Sequence, residues 1–315
     1  MFDLSGKTIW IAGHRGMVGG ALVRRLQRDG HRVLTAGRDR VDLVRQAEVE
    51  AFVAAERPDV VIVAAARVGG IAANAARPVD FLHDNLLIEA NIMRAAADAG
   101  VAKLLFLGSS CIYPRDAAQP MTEAALLTGP LEATNQWYAI AKIAGIKLAE
   151  AYRQQHGLDF ISAMPTNLYG PGDNYDLESS HVIPALLRKA IEARDSGAAT
   201  MTVWGSGTPL REFMHVDDLA DALVFLLQNY SSPEHINVGT GQEVTIAEVA
   251  RIICDTVGFT GELVFDRSRP DGTPRKLMDS SRLLAMGWRP QIGLREGLAD
   301  AWRDFSENPT TRLSA

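Results

Sequence analysis

The chain has 315 residues, 47% of them hydrophobic, a formal net charge of −6 and a pI near 5.7. That length can bury a large core as one large domain or two lobes, and its scattered basic residues leave no electrostatic footprint for nucleic acid or an anionic membrane. With no apolar run near the roughly 20 residues that span a bilayer and no signal-peptide regions at Met1, the expected compartment is the cytoplasm.

From the N-terminus, an apolar run of strand length at residues 8–12 leads into a helical period over 18–29. Between them stands Gly13-His14-Arg15-Gly16-Met17-Val18-Gly19, a G-x-x-G-x-x-G spacing. Glycines at a strand-to-helix turn permit a tight bend and close approach by a pyrophosphate, whose charge is favoured by the free N–H groups and dipole of the helix start. A ligand-free glycine turn is the bland reading, and the strand before and helix after weigh against it. A second strand over 31–35 ends in Thr35-Ala36-Gly37-Arg38, where NAD sites commonly carry an acid for the ribose 2′-OH. No acid stands there, and Arg38 with Arg15 offers positive charge for a 2′-phosphate, so NADP(H) is the expected cofactor. Asp42 is placed near the adenine end, with a structural role equally open.

Helical periods over 46–56, 79–99 and 136–155 alternate with strand runs over 59–64, 103–107 and 160–164. This βαβ rhythm predicts an α/β fold with a doubly wound parallel (Rossmann) sheet. The fourth strand ends in Leu107-Gly108-Ser109-Ser110-Cys111-Ile112-Tyr113-Pro114. Ligands in open α/β sheets bind beyond the carboxyl ends of strands, so these hydroxyls and the thiol are expected to face the crevice of the glycine loop. The helix over 136–155 carries Tyr138 and Lys142, four residues apart on one face. An ammonium beside a phenol is expected to pull its pKa down from about 10. Tyr138 then exchanges a proton with a carbonyl or alcohol oxygen to which Ser109 also donates. Alone, Y-x-x-x-K on a helix is more often surface or packing and a strand-end serine more often a cap; together they form a constellation.

The rhythm changes after Pro165. A polar loop over 172–180, a helix over 183–192, a short strand over 202–204 and a Gly/Pro loop over 205–209 predict a smaller interleaved substrate lobe. The expected partition is 1–172 for the NADP-binding domain with a return at about 212–245, and 173–211 plus 246–315 for the lobe. Within the return, 236–238 is expected to rejoin the main sheet, and 309–315 to form a free tail. Cys111 and Cys254, the two cysteines, give neither a disulfide framework nor zinc-ligand spacing, and no metal is expected.

With these residues in place the chain resembles the extended short-chain dehydrogenase/reductases that act on nucleotide sugars. The resemblance is carried by the 13–19 and 108–114 motifs, by Ala-Arg-Val-Gly-Gly-Ile at 66–71, Pro-Thr-Asn-Leu-Tyr-Gly at 165–170 and Ser-His-Val-Ile-Pro at 180–184. It continues in the run from Trp204 to Phe213 and in Pro-Asp-Gly-Thr-Pro-Arg-Lys at 270–276, so it covers nearly the whole chain. Cys111 combined with His181 and the 271–276 run is the most specific part. Trp137 stands where the family often has proline, and Lys189 where arginine is common.

The resemblance implies a Rossmann enzyme with Ser109, Tyr138 and Lys142 as its catalytic set, paired as a homodimer through the helices over 79–99 and 136–155. It implies that GDP-4-keto-6-deoxy-D-mannose is epimerised at C3 and C5, then reduced at C4 by NADPH to GDP-L-fucose. Cys111 is assigned as base and His181 as acid, although either alone reads as packing or capping. The cofactor set extends to Leu107, Gly108, Ser109, Ser110, Lys142, Pro165, Thr166, Asn167, Leu168 and His181. Arg211, Lys189 and Lys276 are candidates for the GDP phosphates. Trp204 is the candidate cover for guanine or sugar, and Asp271 the acceptor for guanine or ribose donors, against the plainer readings of solvated ion pairs and packing. A UDP-hexose 4-epimerase or another nucleotide-sugar enzyme is the competing reading, opposed by Arg15, Arg38, Cys111 and His181. An NADP-binding regulator without turnover is opposed by the intact Ser109, Tyr138 and Lys142.

Overall fold

Strands buried on both faces read as unbroken apolar runs, because helices cover each side of a parallel sheet. In chain order the first half comprises β1 (Thr8–Ala12), α1 (Met17–Arg28), β2 (Arg32–Leu34), α2 (Gln46–Glu56), β3 (Val60–Val63), α3 (Ile71–Ala76), α4 (Asn85–Asp98), β4 (Lys103–Leu107), α5 (Gln136–His156) and β5 (Phe160–Pro165). β6 (Asn167–Tyr169), α6 (Val182–Asp195), β7 (Thr200–Trp204), β8 (Leu210–His215), α7 (Val216–Asn229) and β9 (Ile236–Val238) follow. The chain continues with β10 (Glu243–Thr245), α8 (Ile246–Val257), β11 (Glu262–Asp266), β12 (Arg275–Lys276), α9 (Ser281–Ala285) and α10 (Leu294–Glu307). This computed structural model describes residues 1–308 apart from Glu178 and Pro270, and the backbone alone at Ile71 and Ala72. The tail expected over 309–315 and the first residue of the 270–276 motif lie outside the described residues.

The doubly wound parallel sheet has the order β2-β1-β3-β4-β5-β9, every pairing parallel. Six strands are present where the alternating rhythm showed five, because Ile236–Val238 does rejoin the sheet beside β5. β2 lies on one side of β1 and β3 on the other, so the winding direction reverses there and opens a crevice at the carboxyl ends. One face of the sheet packs α1 against α7 through Leu22, Leu26, Leu219 and Leu223. The other face holds α2, α4 and α5 through Val49, Phe52, Ile92, Met93, Ile143 and Ile146. α4 is entered through a π-helical turn, Asp80–Asp84, which completes the long helical period read from the sequence.

A separate core joins α6, β7, α8 and α10 through Leu187, Val203, Val249, Ile253 and Leu298. Beside it, β10 runs antiparallel to β8, while β6 and β12 pair with β8 in parallel. The sequence rhythm did not announce these strands, since β6, β10 and β12 are three residues or fewer and β12 is Arg275-Lys276 itself. Their pairing sets Lys276 opposite Arg211.

The returning strand β9 also fixes the segment after β4. Tyr113 Oη donates to Asn237 Oδ1 at 2.5 Å, and Asn237 Nδ2 donates to the carbonyls of Met121 and Asp279 at 3.0 and 3.1 Å. The bonds to Tyr113 and Met121 are buried and that to Asp279 partly so, and a buried acceptor left without its donor costs about 1–3 kcal/mol. Asn237→Ala is therefore expected to lower urea stability by about 2–4 kcal/mol; a loss below about 1 kcal/mol would show that the node is not needed.

Candidate active site

The carboxyl ends of β1, β3, β4 and β5 surround a cavity of about 910 Å³, which all the expected cofactor and catalytic residues line. Its first wall is the turn between β1 and α1. Gly13 has φ +92°, and a Cβ there would sit 2.6 Å from Ala65 N; a Cβ on Gly19 would sit 2.1 Å from Gly13 O. The fold itself demands those two glycines. At Gly16, which also lines the cavity, the nearest atom to an added Cβ is Gly13 O at 3.5 Å, so the protein itself would leave room for a side chain there. Gly16 caps α1 without a side-chain bond and without an acid in the first turn, leaving backbone N–H groups for an anion. This is the cradle a cofactor diphosphate requires.

Arg15 and Arg38 are exposed at the cavity beyond this turn, and Asp42 lines it nearby. Asp39 comes one residue past the place expected for an acid and meets the Arg15 guanidinium at 3.5 Å without lining the cavity. His14 has its pKa lowered, by partial burial first and by Arg15 second. The junction of β5 and β6 supplies Pro165, Thr166, Asn167 and Leu168, with Asn167 Nδ2 anchored on Glu212 O at 2.8 Å.

Ser109 leaves β4 in extended conformation, and its Oγ accepts the Cys111 N–H at 3.3 Å, starting the single 3₁₀ turn Ser110–Ile112. Ser109 and Tyr138 line the cavity together, and the Ser109 hydroxyl lies close enough to act on the phenol. The expected lowering of the Tyr138 pKa is not found. Burial first, then the charges of Cys111 and Glu89, push the phenol up, and only Ser109 opposes them. Lys142 Nζ lies 5.9 Å from the Tyr138 ring centre and 4.6 Å from that of Phe106, and it pairs with Glu89 Oε1 at 3.2 Å. Residues four apart share a helix face, yet a carboxylate on α4 has captured the ammonium.

Glu89 is the residue that sequence reasoning missed. Its side chain and that of Lys142 are each 2% exposed. Burial pushes the Glu89 carboxyl up to about 7, with Lys142 and the Gly145 N–H opposing. A Cβ on Gly145 would meet Glu89 Oε2 at 2.3 Å, so α5 makes room for this carboxylate. The available signal was a lone acid on the apolar stripe that includes Ile88 and Ile92.

Across the cavity, Cys111 Sγ accepts from Asn135 Nδ2 at 3.2 Å and has Lys276 Nζ at 3.8 Å. His181 precedes α6 and opens to the cavity while protein crowds its other sides. That desolvation, and then the charge of Lys276, lower its pKa below the usual imidazole value. Arg211 lines the same wall; burial lowers its pKa and Asp271 opposes that.

Three expected substrate residues stand outside the lining. Lys189 Nζ and Arg269 Cζ lie 4.5 and 4.9 Å from the ring centre of the exposed Trp204, and Asp271 accepts from Ser206 N and Oγ at 2.6 and 2.8 Å. Asp271 thus holds the turn after β7, and the patch adjoins the cavity through Arg211. Among the described residues one cluster has metal-like spacing: His215, Asp217 and Asp300, with ligand atoms within 4.8 Å. Asp217 is already paired with Arg24 at 2.6 Å, and His215 Nδ1 accepts the Asp217 N–H, which makes it a cap on α7.

A glycine-bearing phosphate turn joined to a Ser-Tyr-Lys set at the carboxyl edge of a parallel sheet defines a nucleotide-dependent enzyme of the short-chain type. The chain belongs to the NAD dependent epimerase/dehydratase family, matched over residues 9–239. It is 59% identical to a GDP-L-fucose synthase of Sinorhizobium fredii, over 98% of each chain. It is 52% identical to the GDP-L-fucose synthase of Escherichia coli, over 97% of this chain and 98% of that one. Among solved structures it is similar to a GDP-L-fucose synthetase from Naegleria fowleri bound to NADP, with 31% identity and a TM-score of 0.92 over 99% of this chain and 96% of that one.

The Glu89 carboxyl titrates near 7 in the fold and at 4.5 in its ordinary setting, so between those values the folded state binds more protons than the unfolded. Its contribution is full below 4.5 and lost as pH rises through 7. Glu89→Gln is expected to remove about 2–3 kcal/mol of the decline in urea stability between pH 4.5 and 7. Identical pH slopes in the two proteins would contradict the raised value.

Proposed function

We propose that this protein converts GDP-4-keto-6-deoxy-D-mannose to GDP-L-fucose, epimerising C3 and C5 and then reducing the C4 ketone with NADPH. The observation that carries the reading is one cavity in which the phosphate turn runs into a hydroxyl pair, Ser109 and Tyr138, faced by a thiol, Cys111, and an imidazole, His181. The full-length similarity to GDP-L-fucose synthases supports the same substrate and chemistry.

The turn of residues 13–19 holds the cofactor diphosphate, and Arg15 and Arg38 the 2′-phosphate that distinguishes NADP(H). Bound there, the cofactor supplies hydride to C4. Everything else falls to side chains. A C4 ketone acidifies the C–H bonds on both adjacent carbons, and donors aimed at its oxygen stabilise the enolate formed at either. Ser109 and Tyr138 are those donors. Because Tyr138 is held protonated, it has a proton to give when the C4 oxygen needs one at reduction. Cys111 removes the carbon proton on one face and His181 returns one to the other; a lowered pKa makes the imidazolium a ready donor. Lys142 orients the cofactor ribose while Glu89 holds its ammonium. Arg211, with Lys189, Trp204 and Asp271 at the outer patch, receives the GDP.

The partition at 172, with a return at about 212–245, gives cofactor and nucleotide sugar separate bodies that meet at the cavity. A homodimer through α4 and α5 is supported by the exposed Trp137 and Ile140 and by a groove between these helices. Among the described residues no helix is long and apolar enough to cross a membrane. The two free cysteines and a nucleotide-sugar substrate support a cytoplasmic enzyme, with no nucleic-acid or membrane partner.

Because one oxygen clamp serves both chemistries, Tyr138→Phe is expected to slow NADPH oxidation and solvent exchange at C3 and C5 together, each by about 10²–10⁴-fold. Cofactor binding should persist. Wild-type turnover in that variant, read by absorbance at 340 nm and NMR, would remove Tyr138 from the chemistry.

A further inference from the structure

Lys276 is drawn toward the proton-transfer groups and away from the phosphate role its charge suggests. Its Nζ stands 3.8 Å from Cys111 Sγ, and it is the charge that acts on His181 after burial. The pairing of β12 with β8 sets it beside Arg211, and of these two cations in the cavity lining it is Lys276 that reaches the sulfur. The other polar neighbour of the thiol is Asn135 Nδ2 at 3.2 Å. An ammonium and an amide NH₂ are both donors, and two donors aimed at one sulfur suit an acceptor carrying negative charge better than an S–H.

The ionisable groups around Cys111 come from three directions: Tyr138 on α5, His181 before α6, and Lys276 on β12 with Arg211 beside it on β8. The described carboxylates that line the cavity, Asp42 and Asp84, belong to the segments after β2 and before α4. Among the described residues Lys276 is therefore the one cation in contact with the sulfur, and none of these acids competes for it there.

We propose that Lys276 is a catalytic residue of the epimerisation, holding Cys111 as the thiolate that takes the substrate protons. Resting on the function proposed above, the step balances as follows. The sulfur lone pair forms S–H as the C–H bond breaks, and the released electron pair moves through the α-carbon to the C4 oxygen. The enolate then takes a proton from the His181 imidazolium on the opposite face, which restores the ketone and leaves neutral imidazole. A proton passes through water from S–H to imidazole before the second carbon is turned over. Lys276 keeps its own proton throughout. Its charge favours the thiolate and weakens the imidazolium N–H, helping both halves of the inversion.

The test is carbamidomethylation of the substrate-free enzyme by iodoacetamide at pH 7.5, resolved by peptide mass. Cys254 serves as internal control, because burial pushes its thiol up to about 11. Lys276→Met is expected to slow alkylation of Cys111 about tenfold, and Lys276→Arg to keep it within about threefold. Unchanged NADPH binding in both variants verifies the fold, since Lys276 is not among the residues expected to hold the cofactor. An unchanged Cys111 rate in Lys276→Met overturns the proposal, and a raised KM for the GDP-sugar would then return Lys276 to the phosphates. Alkylation needs no substrate, so a slowed rate in a protein that makes no GDP-L-fucose would keep the ion pair and sink the substrate assignment instead.

Discussion

Reversal of winding between β1 and β3 is the constraint from which the rest of the site follows. It leaves a gap at the carboxyl edge that no connecting helix covers, and the segments leaving β1, β3, β4 and β5 must all turn into it. The glycines at 13 and 19 are needed so that β1 and α1 can approach each other and β3 closely enough to keep that edge tight. Gly16, which lines the cavity, is free of such demands from the protein. The same edge delivers Ser109 and Cys111 from β4, and the helix that follows delivers Tyr138.

Charge does the remaining work, as one buried pair and one half-buried cation on the facing wall. On α4 and α5, Glu89 and Lys142 stand 3.2 Å apart, with Phe106 and Gly145 shaped around them. Across the cavity, Lys276 faces a sulfur and an imidazole. Desolvation makes a buried charge expensive unless paired, so each of these groups limits what its neighbours can do. Tyr138 illustrates this: burial first, then the neighbouring Cys111 and Glu89, keep the proton on the phenol, and a donor results where an activated phenolate was expected.

The parallel sheet was legible because its strands are buried on both faces and its helices carry long apolar periods; 103–107 and 46–56 were read to the residue. The residues expected to hold the cofactor and carry the chemistry all line one cavity; those of the glycine turn and the end of β4 were placed by topology, whereas His181 and 165–168 came through the family resemblance. What escaped was set by tertiary contact. β12 is two residues long and exists only through its pairing with β8, so the approach of Lys276 to Cys111 had no sequence signal. Glu89 had one, an acid among isoleucines, but its partner could be named only once α4 and α5 were packed together. Lys189, Trp204 and Asp271, expected at the GDP, sit outside the cavity lining: Lys189 lies over the Trp204 ring, and Asp271 holds the turn after β7 through Ser206.

The central claim is that one polarised C4 oxygen serves both epimerisation and reduction. Its most direct test is to incubate the wild-type protein with GDP-4-keto-6-deoxy-D-mannose and NADPH in D₂O and locate deuterium in the product by NMR. The account predicts GDP-L-fucose carrying solvent deuterium at C3 and C5 and hydrogen from NADPH at C4. A reduced product without deuterium at C3 and C5 would contradict it.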